Sequence, residues 1–571
     1  MKKLLLVLLS LLILVGCTSS KQAIKTDKDY SIPEYYHYES DEFIEDCDKL
    51  ATYIEKENYD KAISLYDSLY DELLKIYDLS NICYVDYCED INNQYYIDEQ
   101  QYIENIFDDL SNKFLTLCHK MTEASFSDDF KKYINDDVKY NDYVDYIEKS
   151  DEEIELLAEE TKLQQQYNQL NDSIESYTYT YNGKEYTYEE LFDVSEEDYD
   201  LYTKLIEGIS ADINRDMGEV YLKLVKVRDR IAKLNGYDNY ALYADTEIYG
   251  RDYSVGDLTN FKEVTKEYAS EIIYLLYNYY DYKDINITGK KLLDDVMDVV
   301  RDISPLADNA YKVLTTNNIY SIDYGPGRYD GSFETAFAHS DASFIFLNLS
   351  NSTRDYFTLA HEFGHFTNAI VMKNPYPLTR DGCYDVFEIH STGLEALFGQ
   401  KASGILKDDY DLAVMSNLLE MLSGIIDACV YDDFQRYVYE NPNLTLDQIN
   451  SKFKDIMYEY GWADYGGYPA MKYEWMYIPH NFDSPMYYIS YGTSFYATLQ
   501  IWAEAKNDYD KAVKIWENIV SSNAFVDGYM KIVSDSGLIP FTNKNSVINT
   551  YQNVIDYVYL HTNAEAWVSW F

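Results

Sequence analysis

The chain has 571 residues, 47% of them hydrophobic and 26% charged, which is enough to bury a large core without disulfides. Its 100 Asp and Glu residues outnumber 47 Lys and Arg residues and give a formal net charge of −53, so nucleic acid is excluded as a partner. This acidity could favour cationic peptides, although a solvated acidic surface is the simpler explanation.

The N-terminus has the pattern of an export signal. Two lysines precede an apolar run at residues 4–15, which is shorter than the ~20 residues needed to span a bilayer. The run ends in Leu14-Val15-Gly16-Cys17, which resembles a bacterial lipobox. That resemblance implies a lipoprotein signal segment at residues 1–17, in which the chain is cleaved before Cys17. It also implies a lipid on Cys17 and a tether at residues 18–40. The protein would then be exported and held on the outer face of a bacterial membrane. An ordinary secretory signal with a coincidental cysteine is the alternative.

The region after the tether is predicted to be helical. Between Asp41 and Lys162, apolar and aromatic residues recur three or four apart among charged residues, as in amphipathic helices. Residues 177–188 alternate around Asn-Gly and predict a β-hairpin, and helical spacing resumes at Glu196. We therefore divide the chain into an N-terminal helical region, residues 41–200, and a second region, residues 201–571.

A glycine-containing loop and a short strand precede the main motif. The apolar run at residues 341–348 predicts a strand, which at a sheet edge could bind an extended peptide as an additional strand. Phe346 and the loop residue Gly331 are the candidate substrate contacts. Gly325, Gly327 and Gly331 indicate a loop that approaches the peptide backbone, or simply a structural turn.

The most informative motif is His361-Glu362-Phe363-Gly364-His365. Apolar residues at helical spacing from Thr353 to Met372 place it on a buried helix. Ser352 and Asp355, three residues apart, resemble a capping box and mark the start of that helix. Buried histidines at this position need a chemical reason, because an apolar environment disfavours unpaired polar groups.

The spacing of this motif predicts a metal site with a general base. Positions i and i+4 lie on one side of a helix, so His361 and His365 can bind one zinc ion. Glu362 can then accept a proton from a water that the metal acidifies, which is the chemistry of a zinc peptidase. Manganese or cobalt would bind the same donors, and a chance occurrence of the motif is the alternative.

A third ligand is expected on the next predicted helix, residues 384–400. Its candidates are Asp381, Cys383, Asp385, Glu388, His390 and Glu395. Glu388 is the predicted ligand, since His390, two positions on, would then face away as an ordinary core or surface histidine. Cys383 precedes the helix. Glu395 lies two turns beyond Glu388 and could accept a hydrogen bond from a ligating histidine, or it is a helix-surface charge.

Residues 475–493 contain a histidine and several tyrosines. A tetrahedral intermediate of peptide hydrolysis carries an oxyanion, which an imidazole N–H or a phenol can stabilise. Beyond Pro485 the chain can be helical, with Tyr488 and Tyr491 three residues apart and Tyr487 and Tyr491 four apart. Because the chain has 64 tyrosines, such a cluster carries little weight by itself.

Together these segments resemble a known family. The His361–His365 motif followed by Glu388-Ile389-His390-Ser391-Thr392-Gly393-Leu394-Glu395 is similar to the thimet oligopeptidase and oligoendopeptidase F family of zinc metallopeptidases, peptidase family M3. The similarity continues in pieces at residues 228–254, 324–348, 480–493 and 536–541, whereas residues 40–200 match weakly. Some relatives have a further histidine where this chain has Asn368, and the tyrosine-rich segment differs in length by about a residue.

The resemblance implies a mainly α, zincin-type fold with a deep channel between two helical halves and a small β-sheet near the metal. It implies one zinc per chain, held by His361, His365 and Glu388, with Glu362 as the base. It also implies that His480, Tyr488 and Tyr491 contact the transition state and that Tyr487 contacts the substrate. Glu395 would accept a hydrogen bond from a ligating histidine.

The expected function is a monomeric zinc-dependent endopeptidase that hydrolyses short unfolded peptides at the cell surface. The alternative is a surface lipoprotein that binds peptides without cleaving them. Retention of Glu362 favours the enzyme, because a binding protein needs no general base. A zinc endopeptidase that cleaves whole proteins is a narrower rival.

Overall fold

The computed structural model describes residues 32–147, 149–465 and 468–562. The predicted signal peptide, its Cys17 and residues 18–31 of the predicted tether lie outside the described residues. Helices α1 to α6 are Asp41–Glu55, Tyr59–Glu89, Gln94–Glu123, Ser127–Ile134, Asp137–Asp145 and Asp151–Asp172. Helices α7 to α12 are Glu190–Glu197, Tyr199–Leu234, Tyr240–Tyr243, Thr259–Tyr279, Gly289–Val300 and Pro305–Asn317.

The remaining helices carry the sequence motifs. They are α13 Arg354–Val371, α14 Tyr384–Gly399, α15 Ser403–Leu406, α16 Tyr410–Glu440, α17 Leu446–Glu459, α18 Ile489–Asn507, α19 Tyr509–Val520, α20 Tyr529–Asp535 and α21 Lys544–His561. Strands β1 to β5 are Thr178–Tyr181, Lys184–Thr187, Tyr320–Asp323, Ser332–Phe337 and Ala342–Asn348. The described chain is therefore mainly helical, as expected.

The predicted hairpin and the helical N-terminal region are confirmed. β1 pairs with β2 in antiparallel register, and Asn182 and Gly183 between them have φ angles of 52° and 81°. Two successive left-handed residues are what a tight hairpin turn requires, which explains the Asn-Gly sequence. Helix α8 begins at Tyr199, where the side chain of Asp198 accepts a hydrogen bond from the Leu201 amide. The expected boundary after residue 200 falls at the start of this helix and stays a prediction.

The second sheet has the strand order β3-β5-β4, with β5 parallel to β3 and antiparallel to β4. The predicted strand at residues 341–348 is confirmed as β5, but its suggested role as an edge strand for a bound peptide was wrong, because β5 is central and hydrogen-bonded on both sides. Phe346 is fully buried, with its ring 5.1 Å from the ring of Phe333 and the Arg328 guanidinium 4.5 Å from its centre. Its side chain is part of the core in this structure, and β4 is the outer strand beside α13.

Helices α13 and α14 match the predicted spans to within two residues, but α13 is not capped as expected. Its N-cap is Thr353, which makes no side-chain capping bond. The Ser352 hydroxyl accepts a hydrogen bond from the Arg354 amide at 3.2 Å, and Asp355 accepts from the Ser350 amide at 2.9 Å. The first bond satisfies a backbone donor of the first helical turn, and the second fixes the chain that leads into it, in place of a capping box.

Long buried helices surround the motif helix. Among the described residues, the stretch Ser403–Glu440 is long and apolar enough to cross a membrane by length and composition, but 94% of its most apolar window is buried inside the protein. It includes α16, which packs beside α18. The indole of Trp516 on α19 donates to the carbonyl of His390 at 2.9 Å and so ties α19 to α14.

Candidate metal centre and active site

The site is built where α13 crosses α14, and a glycine allows the two helices to approach closely. A Cβ atom on Gly364 would lie 2.4 Å from the carbonyl oxygen of His390 and 2.6 Å from the Cα of Ser391. Both neighbours are backbone atoms, so no side-chain rotation could relieve the overlap. Gly364 therefore sets the distance at which residues of α13 face residues of α14.

Three potential metal ligands meet at this crossing. The Nε2 atoms of His361 and His365 are 3.2 Å apart, and Glu388 Oε2 is 3.6 Å from the first and 3.8 Å from the second. All three side chains are buried, and their ligand atoms lie within 4.8 Å of one another. The structure thus brings together the two histidines and the glutamate that the sequence analysis selected.

A carboxylate behind the first histidine fixes its orientation. Glu395 Oε1 is 2.6 Å from His361 Nδ1, and its other oxygen accepts a hydrogen bond of 2.6 Å from the amide of Asn417. A proton on Nδ1 in this contact leaves the lone pair of Nε2 directed toward the ligand group. The alternative of a helix-surface charge does not fit, since Glu395 is 7% exposed.

Glu362 lies on the same helix, and only one of its two carboxylate oxygens is hydrogen-bonded to another described residue. Its Oε1 accepts a hydrogen bond of 2.8 Å from Ser332 on β4. Its Oε2 is buried without a hydrogen-bond partner among the described residues. Burial raises the pKa of Glu362 to about 7, against the opposing effects of His361 and Ser332. A carboxylate with this pKa can exchange protons near neutral pH.

The cluster holds more negative charge than its histidines can balance. Glu362, Glu388 and Glu395 are all within the buried core of the site. Burial lowers the pKa of His361, but the hydrogen bond and charge of Glu395 outweigh it and raise the value to about 9. Burial raises the pKa of Glu388. Buried carboxylates at this density are costly unless a cation compensates them.

The third ligand is also held by its neighbours. The hydroxyl of Tyr487 donates to Glu388 Oε1 at 3.2 Å, and that of Ser391 lies 3.4 Å from Oε2. Tyr487 therefore contacts the predicted metal ligand directly, while its predicted contact with substrate stays a prediction. Because both donors stabilise the ionised form, they favour a carboxylate ready to bind a cation.

His480, Tyr488 and Tyr491 form an aromatic group next to Tyr487. The hydroxyl of Tyr491 is 3.4 Å from His480 Nε2, and the rings of His480 and Tyr488 are 5.0 Å apart. His480 Nδ1 is buried without a hydrogen-bond partner among the described residues. Burial lowers the pKa of His480 to about 4, so the ring is neutral at physiological pH. If Tyr491 donates to Nε2, the other nitrogen is an N–H donor that the protein leaves unused.

Side chains from distant helices hold the irregular segment that carries His480. The buried Arg228 donates to the carbonyl of Asn481 at 3.4 Å and to that of Phe482, and it pairs with Glu160 on α6 at 2.6 Å. At the other end, Arg251 donates to the carbonyl of Met486 at 2.8 Å. The position of His480 therefore depends on residues more than 200 positions earlier in the chain.

Comparison with known proteins agrees with this geometry. The family model for peptidase family M3 matches residues 318–515, which include the whole α13–α14 crossing and His480. The chain is thus similar to peptidase family M3 over this segment. It is 25% identical over 232 residues to oligopeptidase PepF of Bacillus subtilis, and 28% identical over 179 residues to the plasmid oligoendopeptidase F of Lactococcus lactis subsp. cremoris.

These alignments are partial. They cover 38% and 30% of this chain, and 34% and 29% of the two relatives. The fold is shared over a longer stretch. A structure of PZ peptidase A with an inhibitor superposes with a TM-score of 0.73 at 19% identity, covering 93% of this chain and 99% of that one. Oligoendopeptidase F from Enterococcus faecium superposes with a TM-score of 0.55 at 13% identity, covering 92% and 99%.

Several features of this site were not found from the sequence. Ser332 and Asn417 contact Glu362 and Glu395, but neither lies in a motif that points to the site. The glycine at 364 was a usable signal, since glycine in a helix interior is unfavourable and needs a packing reason. Cys383 and His390 lie outside the ligand cluster, as expected. Gly331 directly precedes β4, and its carbonyl accepts a hydrogen bond from the Asn348 amide at 3.1 Å. Its contact with substrate stays a prediction.

Proposed function

We propose that this M3 protein is a zinc-dependent oligopeptidase that hydrolyses short, unfolded peptides. The observation that carries the proposal is the position of Glu362, whose Oε2 is buried and unpaired within the described chain beside a cluster of two histidines and a glutamate. A protein that only bound peptides would have no use for a buried base at this position.

The residues present fit a zinc ion. Two imidazole nitrogens and a carboxylate oxygen are a donor set of catalytic zinc, and Nε2 atoms 3.2 Å apart are close to the edge of about 3.4 Å of a tetrahedron with zinc–nitrogen bonds near 2.05 Å. His361, His365 and Glu388 would hold the ion. Zinc supplies Lewis acidity, which lowers the pKa of water and polarises a carbonyl group.

The protein groups supply the proton transfers and the charge stabilisation. Glu362 accepts the proton of the attacking water through Oε2, while Ser332 keeps the other oxygen in place. The same carboxyl group then delivers the proton to the leaving amine. The Nδ1–H of neutral His480 and the hydroxyl of Tyr488 are donors for the oxyanion while Tyr491 donates to His480 Nε2. If the Tyr491 hydroxyl turns away from His480, it can donate to the oxyanion in place of Tyr488. This division of roles uses Glu362 Oε2 and His480 Nδ1, which are both buried without a hydrogen-bond partner among the described residues.

The restriction to short peptides is supported by the relatives' names and by the resemblance to oligopeptidases. The location at the outer face of a membrane is proposed from the N-terminal sequence alone. If Cys17 carries a lipid, we expect the full chain in the membrane fraction and Cys17→Ala in the soluble fraction. Membrane association that persists in Cys17→Ala would contradict a lipid on this cysteine.

The test of the enzymatic proposal uses a quenched fluorescent peptide of about ten residues. We expect cleavage by the wild type, its loss on chelation and its return with zinc, and a fall of at least about a thousandfold in kcat for Glu362→Gln. Metal analysis should find one zinc per chain in both proteins, because Glu362 is not a ligand. Zinc-loaded protein that binds a diverse peptide library without cleaving any member would support the peptide-binding alternative.

A further inference from the structure

A cavity adjoins His480 and Tyr487. It has a volume of about 350 Å³, and its walls include Tyr249, Tyr384, Tyr487, His480 and Asp483. The ring of Tyr487 forms part of the wall while its hydroxyl contacts Glu388. The side chain of Tyr487 therefore lies between the cavity and the predicted metal ligand Glu388. The cavity is large enough for one long side chain of a bound peptide.

Three tyrosine rings give one part of the cavity an aromatic surface. Ring centres of Tyr249 and Tyr384 are 5.8 Å apart, those of Tyr384 and Tyr487 are 5.4 Å apart, and those of Tyr249 and Tyr487 are 6.1 Å apart. The rings meet at angles of 54° to 80°. Aromatic groups of this kind attract cations through the negative faces of their rings.

Asp483 adds a negative charge to the same cavity. Within the described chain, its carboxylate makes no hydrogen bond and no ion pair. The charge of Arg228 lowers the pKa of Asp483, but its guanidinium donates to Glu160, to the Tyr439 hydroxyl and to two backbone carbonyls. Burial raises the pKa of Asp483 to about 6 against the effect of Arg228, so the group is ionised at neutral pH.

We propose that this cavity binds the cationic side chain of a lysine or arginine of the peptide substrate. The carboxylate of Asp483 would pair with the cation, and the tyrosines would enclose its methylene groups and contact its charge. A neutral aromatic or aliphatic side chain would instead desolvate Asp483 without pairing it. The inference rests on the proposed peptidase function and names a class of substrate for it.

The test compares peptides that differ only in the charge of one side chain. Pairs of quenched ten-residue peptides carry lysine or norleucine at successive positions around the cleaved bond, and kcat/KM is measured with the zinc-loaded full chain. At one position we expect lysine to be preferred about tenfold. In Asp483→Asn, the lysine peptide should lose about tenfold, while the norleucine peptide stays within twofold. The matched control is Asp302→Asn, which removes an exposed charge outside the cavity and should keep the preference.

Two results would overturn the assignment. One is equal kcat/KM for lysine and norleucine at every position, and the other is a lysine preference that Asp483→Asn leaves unchanged. Fluorescence anisotropy of the same peptides with zinc-loaded Glu362→Gln gives an answer independent of turnover. If no peptide is cleaved, the peptidase proposal fails, but a tenfold tighter Kd for lysine that disappears in Glu362→Gln/Asp483→Asn would still support the cavity assignment, and equal Kd values would refute it.

Discussion

The predicted metal ligands and the predicted oxyanion donors are held in two different ways. Helices α13 and α14 carry the ligands at positions fixed by helical geometry, and one glycine sets their separation. The segment at residues 475–488 contains two short 3-10 stretches and otherwise irregular turns, and side chains from α8 and α16 hold it. Regular secondary structure thus fixes the ligand cluster, whereas long-range hydrogen bonds fix His480.

This difference predicts separable defects. A change at the α13–α14 crossing displaces the ligands and reduces metal affinity together with activity. A change in the contacts that hold the His480 segment leaves the ligands in place and reduces the rate of the chemical step. If the two kinds of substitution give the same combination of zinc content, KM and kcat, the ligand cluster and the His480 segment are not held independently.

The largest effect is expected for Gly364→Ala. The added methyl group would overlap the backbone of α14, so the helices must separate, and displacements of this kind cost about a hundredfold or more in kcat/KM. Zinc affinity should fall with it, and the free energy of unfolding should fall by about 1–3 kcal/mol. Zinc titration, peptide hydrolysis and denaturant unfolding measure the three quantities.

Gly404→Ala is the matched control, because a Cβ atom at Gly404 meets no other atom within 4 Å. It should change zinc affinity and kcat/KM by less than twofold. Full zinc affinity in Gly364→Ala would show that the close approach at this glycine does not set the ligand geometry.

The comparison also explains what could be predicted from the sequence. Helical periodicity is local, so it placed Glu388 and Glu395 on one face of a single helix and His361 beside His365 on another. Strand order is not local, and the run at residues 341–348 gave no sign that it would lie between two other strands. The bond from Ser332 to Glu362 joins residues 30 positions apart, and no local pattern encodes it.

A smaller effect on the ligand cluster is expected for Glu395→Gln. The amide can still accept from His361 Nδ1, but it lacks the charge that supports the ligand, so zinc affinity should fall by about ten- to a hundredfold. Zinc must displace the proton of His361, whose pKa is raised to about 9 despite burial. The zinc affinity of the wild type should therefore increase with pH up to about 9. The zinc affinity of Glu395→Gln should level off at lower pH, because Glu395 no longer raises the pKa of His361.

Zinc titrations at several pH values measure both expectations. Asn417→Ala removes the hydrogen bond to Glu395 but keeps its charge, and it should weaken zinc binding by only a fewfold. Identical pH dependence in wild type and Glu395→Gln would contradict the role of Glu395 in setting the protonation of His361.

The smallest effect is expected for Arg228→Lys, which acts on the other region. Lysine keeps a positive charge near Glu160 but cannot contact that carboxylate and the carbonyls of Asn481 and Phe482 at once. We expect kcat to fall about tenfold, with zinc content unchanged and KM within twofold, because His480 is displaced while the ligands stay in place.

Arg230→Lys is the matched control on the same helix, since Arg230 is 56% exposed and pairs with the exposed Glu152. It should leave kcat within twofold. Loss of zinc in Arg228→Lys would show that the ligand cluster and the His480 segment form one structural unit, and the separation between them would then be wrong.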